Sequence, residues 1–393
     1  MSDPIHVLHL LPNLALGGGQ VLVLRTIQGL DPEGFRSSVC SVWRDGPSSM
    51  SEQFRAAGVP VLSLEFRRSL APAALWRLVR FLRRERVDLI HTNNTYWDRR
   101  FGALASALTG VPLVNTFHSM AFPAQRPSLE RLDEALLRGR VRQGVAVSGA
   151  VHAAWATYMD RIELAHDDVH VVHPGLELGA RPVELSSGDE AALRRDLDLE
   201  GAGPLLVNVA RLTRGKGQLE LLAAMSEVRA RWPGAKLLLV GDGPERPAIE
   251  AAVRAEGLEG SVRLLGRRDD VPQLLALADL FWFASEGEGL GLAVLEAMAA
   301  KKPVVAYDLP ALRELMEDEV SGRFVPQGDP RALAARTLEL LEAPARLRSM
   351  GQRARATVEA RFTHARSVAA LEAVYRDALT KAPTPSPLRA DAV

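Results

Sequence analysis

Apolar positions follow two periods along this chain, and the two alternate. Short β-branched and leucine-rich runs occupy residues 5–11, 38–43, 59–64, 87–91, 112–117, 144–148 and 169–172 in the first half. Residues 204–210, 235–241, 261–265, 279–284 and 303–307 repeat the pattern in the second. Between them lie stretches with the spacing of one helix face, such as Leu75, Leu78, Val79 and Leu82. Repeated strand–helix alternation predicts parallel sheets covered by helices on both faces. Residues 179–203 lie in a strand-poor segment that holds Pro182, Ser186, Ser187 and Gly188, and they read as a linker. The expectation is therefore an α/β chain of two Rossmann-like domains with a cleft between them, 1–178 and 204–362. A last periodic helix, 363–379, is expected to join the first domain, and a tail rich in Pro, Ala and Ser, 381–393, to be disordered.

In such sheets ligands bind beyond the carboxyl ends of the strands, so the loops there carry the candidate chemistry. Residues 285–299 read Ser-Glu-Gly-Glu-Gly-Leu-Gly-Leu-Ala-Val-Leu-Glu-Ala-Met-Ala. Glu288 lies among glycines; Glu296 lies in a run of strong helix formers. The segment predicts a glycine loop feeding a helix. The start of that helix offers backbone N–H groups and partial positive charge to an anion. Two carboxylates flanking an anion repel phosphate but accept bonds from hydroxyls, and an anion joined to a polyol describes a nucleotide sugar. The plainer reading is an ordinary loop–helix connection with Glu296 on a solvated face.

Other loops add to this. Gly17-Gly18-Gly19-Gln20 follows the first strand run and opens a helix; consecutive glycines let backbone approach a phosphate, or simply make a flexible turn. The spacing is not that of a dinucleotide fingerprint. Arg211 and Lys216 follow the first strand run of the second half. Two cations there can clamp a diphosphate and stabilise it as a leaving group, or form a solvated basic turn. His118 and His91 each end a strand run, with Asn93 and Asn94 just past the second. Gly241-Asp242-Gly243-Pro244 closes another run as a tight turn, and Arg267 follows the next.

Composition narrows the field. Formal charge is zero over 393 residues, which removes any case for generic nucleic-acid binding. One cysteine, Cys40, excludes an internal disulfide and a cysteine metal cluster. No secretory leader and no membrane-length apolar run is visible, so a cytoplasmic location is expected. Residues 1–175 hold 19 arginines, no lysine and 16 acids. Seven of these arginines fall between Arg67 and Arg86 around Trp76 and Phe81. Such a helix either rests on an anionic membrane or packs Leu75, Leu78, Val79 and Leu82 inward with Arg77, Arg80 and Arg84 solvated.

Ser-x-x-Glu-Gly-x-Gly-Leu-x-x-Leu-Glu-Ala-Met-Ala, with Glu288 and Glu296, resembles the Glu-x7-Glu signature of retaining family 4 glycosyltransferases, which have the GT-B fold. Arg-x4-Lys-Gly at Arg211 and Lys216, and the order of motifs from Val7 to Leu379, match as well. Departures are Ala293 for a usual Pro, Leu290 for a common aromatic, and Asp308-Leu-Pro-Ala-Leu-Arg-Glu314 where a Gly pair is usual. Ser148 and Gly175 match family positions near the domain junction. The resemblance implies transfer of a sugar, with retention, from a nucleotide-diphosphate donor, commonly UDP-linked, to a glycan or lipid-linked hydroxyl. It also implies a place in bacterial polysaccharide, lipopolysaccharide or glycolipid synthesis. It assigns catalytic parts to His118, Glu288, Arg211 and Lys216. Donor binding falls to Gly17, Gly18, Gly19, Arg211, Lys216, Gly241, Arg267, Glu288, Leu290, Gly291, Leu292 and Glu296. Asn93 and Asn94 are the candidate acceptor contacts, and His91 reads as structural. No cofactor and no metal are expected. A different enzyme on a related fold, such as an epimerase or a phosphorylase, and a non-catalytic nucleotide-sugar-binding protein stay open.

Overall fold

The computed structural model describes residues 3–15, 17–46, 49–67, 71–93, 96–120, 127–179 and 183–380. They form two compact units: Met1–Pro174 together with His364–Val393, and Gly175–Thr363.

The first unit holds seven parallel strands: Ile5–Leu11 (β1), Phe35–Ser41 (β2), Val61–Ser63 (β3), Leu89–Thr92 (β4), Leu113–Phe117 (β5), Val141–Ala146 (β6) and Val169–Val171 (β7). They lie in the order β3-β2-β1-β4-β5-β6-β7. The period of two divides β1 between faces. Leu8 and Leu10 join a core with Leu78, Val79 and Leu82 of the helix Ala71–Arg84. Val7 packs with Val368, Leu371 and Tyr375 of the helix His364–Thr380. The arginine-rich helix thus buries its apolar stripe, while Arg80, Arg83 and Arg84 stay exposed and Trp76 is 61 % exposed. Arg77 donates to the carbonyls of Ser63 and Leu64 at 2.8 and 3.4 Å.

The second unit holds Leu205–Val209 (β8), Lys236–Val240 (β9), Val262–Gly266 (β10), Leu280–Phe283 (β11), Val304–Tyr307 (β12) and Gly322–Val325 (β13). All are parallel, in the order β10-β9-β8-β11-β12-β13. Chain order reverses between β1 and β4 in one sheet and between β8 and β11 in the other, which opens a crevice at the carboxyl ends of those strands.

Of the expected linker 179–203, residues 183–203 are built into the second unit. Ser186 caps the helix Ser187–Asp196 by accepting from the N–H of Asp189. Leu197 and Leu199 are buried in that unit's core with Phe281 and Leu295. The division also falls earlier than expected, before Gly175, because Leu176 donates to the Phe362 carbonyl at 2.9 Å. β13 lies outside the expected strand runs. The expected tail, 381–393, lies outside the described residues. No helix of the described residues is long and apolar enough to cross a membrane.

Candidate functional site

The crevice of the second unit lies between β8 and β11, and Arg211, Lys216, Glu288 and Glu296 fall on its two walls. On one wall the chain leaves β8 through Arg211 and a turn to Gly217, where the helix Gln218–Arg231 begins. Gly217 has φ +73°, and a Cβ there would meet the Ala284 carbonyl oxygen at 2.1 Å. Only glycine lets this turn lie against the end of β11. Gln218, buried, donates from its amide to the Arg211 carbonyl at 3.1 Å. Leu212 donates to the Asp242 carbonyl at 3.0 Å. The loop is thus pinned at both ends, and the Arg211 guanidinium is left exposed, with no ion pair among the described residues.

On the other wall, Ser285 to Gly291 lead from β11 into the helix Leu292–Ala299. Gly291, at φ +98°, occupies the cap position, and a Cβ would meet Leu312 at 2.8 Å. The two walls are joined at the backbone, where Glu286 donates to the Gly215 carbonyl at 2.9 Å. They are joined again by charge: Lys216 Nζ lies 2.5 Å from Glu288 Oε1. Glu296 is half-buried in the second turn of the helix, and Leu292 in its first.

Three candidates take a different character. The Leu290 side chain is 4 % exposed and sits in the core with Leu309 and Leu312, so only its backbone is available to a ligand. Gly241, at φ +131°, donates to the Gly266 carbonyl, and a Cβ would meet the Ala210 carbonyl oxygen at 1.9 Å; its place is set by packing between strand ends. Arg267 is exposed beyond β10, whereas its neighbour Arg268 is held by Asp270 at 2.7 Å. The usual Gly pair is replaced here by a short helix, Pro310–Arg313, clipped by a two-point ion pair from Arg313 to Asp308. The sequence does not single out Gln218, and it gives Gly217 and Ser285 only as motif positions; the buried Ser285 hydroxyl has no hydrogen-bond partner among the described residues. The signal for the first two was Gly215-Lys216-Gly217-Gln218 itself, a glycine at a helix start followed by a polar residue.

In the first unit, Gly17 caps the helix Gly18–Gly29 in extended backbone. A Cβ at Gly18 or Gly19 would meet nothing within 4 Å, so packing does not demand glycine there. His118 follows β5 and Asn93 follows β4. Because these strands are neighbours, the His118 Nε2 lies 3.3 Å from Asn93 Oδ1. The Asn93 N–H donates to Asp98 Oδ2 at 2.9 Å. Burial pushes the His118 pKa down to about 4, so the ring is neutral at pH 7. His91 is buried, with Nδ1 2.7 Å from the Tyr375 hydroxyl and Nε2 2.6 Å from Thr116 Oγ1. Both its nitrogens are occupied within the fold. Asn94 lies outside the described residues. Among the described residues no three His, Cys, Asp or Glu side chains converge as metal ligands.

Residues 203–343 match the model of glycosyl transferases group 1, and residues 16–179 that of glycosyltransferase family 4. The chain is 34 % identical to a D-inositol 3-phosphate glycosyltransferase of Segniliparus rotundus, over 75 % of this chain and 67 % of that one. The chain belongs to glycosyltransferase family 4. It is also 26 % identical to N-acetyl-alpha-D-glucosaminyl L-malate synthase of Bacillus anthracis, over 77 % of this chain and 78 % of that one. The structure of Anabaena HepE in complex with UDP-glucose superposes with a TM-score of 0.80 at 25 % identity, covering 94 % of this chain and 99 % of HepE. This family 4 chain is thus a glycosyltransferase with the GT-B fold.

Proposed function

We propose that this glycosyltransferase takes its sugar from a nucleotide-diphosphate donor, UDP-linked, and delivers it with retention to a glycan or lipid-linked hydroxyl. The observation that carries the reading is the crevice itself. Half-buried Lys216 pairs with Glu288 of the loop that leads into the helix Leu292–Ala299, and exposed Arg211 lies on the same strand-end loop as Lys216. In this reading Arg211, Lys216 and the helix N-terminus hold the diphosphate. Glu296 accepts from the ribose hydroxyls, Glu288 accepts from those of the sugar, and Arg267 lies toward the base. His118, neutral, contacts the donor sugar, and Gly17, Gly18 and Gly19 offer backbone to the donor.

The anomeric C–O bond to the diphosphate breaks, and the acceptor oxygen forms its bond on the same face. The acceptor proton passes to the departing diphosphate. Arg211 and Lys216 stabilise the charge that develops on that leaving group. Their two positive charges supply the electrostatic part that Mg²⁺ plays in other transferases, so we read the reaction as metal-independent. We place the reaction in bacterial polysaccharide, lipopolysaccharide or glycolipid synthesis, at the cytoplasmic side of the cell. Exposed Trp76 beside Arg80, Arg83 and Arg84 favours a peripheral contact with anionic lipid.

A thermal-shift screen of nucleotide sugars tests the donor. A ligand at a hundred times its dissociation constant stabilises the fold by about 2.7 kcal/mol. Proton NMR of the product then reads the anomeric configuration, and turnover that survives EDTA supports the metal-free reading. Loss of turnover in EDTA, restored by Mg²⁺ or Mn²⁺, overturns it.

A further inference from the structure

The proposed function gives Lys216 and Glu288 to different parts of one substrate, yet in the structure they bind each other. The Lys216 ammonium has three protons to donate and lies 2.5 Å from a Glu288 oxygen. Both side chains are largely shielded from water, at 21 % and 14 % exposure, so salt screens this pair less than a surface pair. Nor is it a chance meeting of two long side chains. The loops that carry them are joined by the bond from Glu286 to Gly215 and by the contact of Gly217 with Ala284. The backbone places the two groups face to face.

A diphosphate approaching Lys216 therefore competes with the Glu288 carboxylate and brings its own negative charge beside it. An intact nucleotide sugar compensates for this, because its sugar hydroxyls donate to Glu288. A free nucleoside diphosphate has no such hydroxyls and carries one more ionisable oxygen on its terminal phosphate. The same carboxylate thus opposes one ligand and is engaged by the other.

We infer that Glu288 is a discriminating latch on Lys216. It yields to the intact donor, returns to the lysine once the sugar has left, and so weakens the hold on the diphosphate product. The inference rests on the donor site proposed above. It makes Glu288 a determinant of product release as well as of sugar contact.

Isothermal titration of UDP and of UDP-glucose into the wild type, Glu288→Gln and Lys216→Ala tests it. Glutamine keeps the shape of the side chain and removes the charge. Glu288→Gln is expected to bind UDP about fivefold more tightly, the equivalent of about 1 kcal/mol. Its affinity for UDP-glucose is expected to stay level or fall. Glu288→Asp, which keeps the charge one methylene further back, should fall between the wild type and Glu288→Gln. If Lys216→Ala weakens UDP binding while Glu288→Gln leaves it unchanged or weaker, the latch is wrong and the donor site stands. If Glu288→Gln tightens both ligands equally, the discrimination is wrong. If neither variant moves UDP affinity, the diphosphate role of Lys216 falls, and the proposed function with it.

Discussion

Lowering the pH from 7 to 5 should destabilise the first unit and spare the second. All nine histidines of the chain lie outside residues 175–363. His9 is 1 % exposed, and burial pushes its pKa down to about 3. Burial and the neighbouring His9 and His118 hold His91 well below 6.5. Their rings lie 5.4 Å apart, so a proton on one opposes a proton on the other. The unfolded chain takes up these protons as pH falls through about 6.5, and the folded chain does not. Their contribution is therefore present above that value and is lost as pH falls toward the folded values. At pH 5 the neutral His9 ring costs about 2 kcal/mol relative to pH 7, and His91 and His118, both held low by burial, add to the loss in the same direction. That is a large share of the about 5–15 kcal/mol that keeps an ordinary domain folded. Hydrogen exchange read by mass spectrometry, corrected for the intrinsic pH dependence of exchange, resolves the units by peptide. Opening free energies should fall by several kcal/mol in peptides from β1, β4 and β5, and by little in those from β8, β9 and β11. His9→Gln should remove about 2 kcal/mol of the fall. An equal loss in both units, or no loss in the first, would refute the argument.

The proposed donor crevice yields sharper tests. Arg211→Ala should keep the fold and lower turnover by about 10²–10³-fold, as loss of an electrostatic stabiliser does; folded variant with unchanged turnover would remove Arg211 from the mechanism. Glu296→Gln should weaken binding of the free diphosphate by about 1.5–3 kcal/mol, tenfold to more than a hundredfold, in isothermal titration. Equal affinity in variant and wild type would end the ribose assignment. Gly217→Ala forces a Cβ into left-handed backbone and onto the Ala284 carbonyl, so denaturant unfolding should show a loss of at least about 2 kcal/mol. A midpoint within error of the wild type would mean that the turn does not need glycine.

Some of this was written plainly along the chain and some could not be. Strands such as β8 and β11 are buried on both faces, so they appear as continuous apolar runs. β13 is an edge strand of four residues, Gly322-Arg-Phe-Val, and its Arg323 is buried by pairing with Glu319 at 3.1 Å; nothing in a hydrophobic period announces it. The helix Ser187–Asp196 is rich in charge and has no fully buried residue, so it looked like a linker. Its capping serine, three residues before Asp189, was the signal passed over. The loops at the crevice are legible because glycines and a following helix former state a local geometry. The pairing of Lys216 with Glu288 was not, because 72 residues separate them. They meet only because β11 crosses over to lie beside β8 in a sheet whose order no local pattern contains. Local sequence therefore determines which chemistry each loop can offer, while strand order determines which loop it faces. At this site, strand order places the two opposite charges on the same crevice, and that pairing is what the proposed latch rests on.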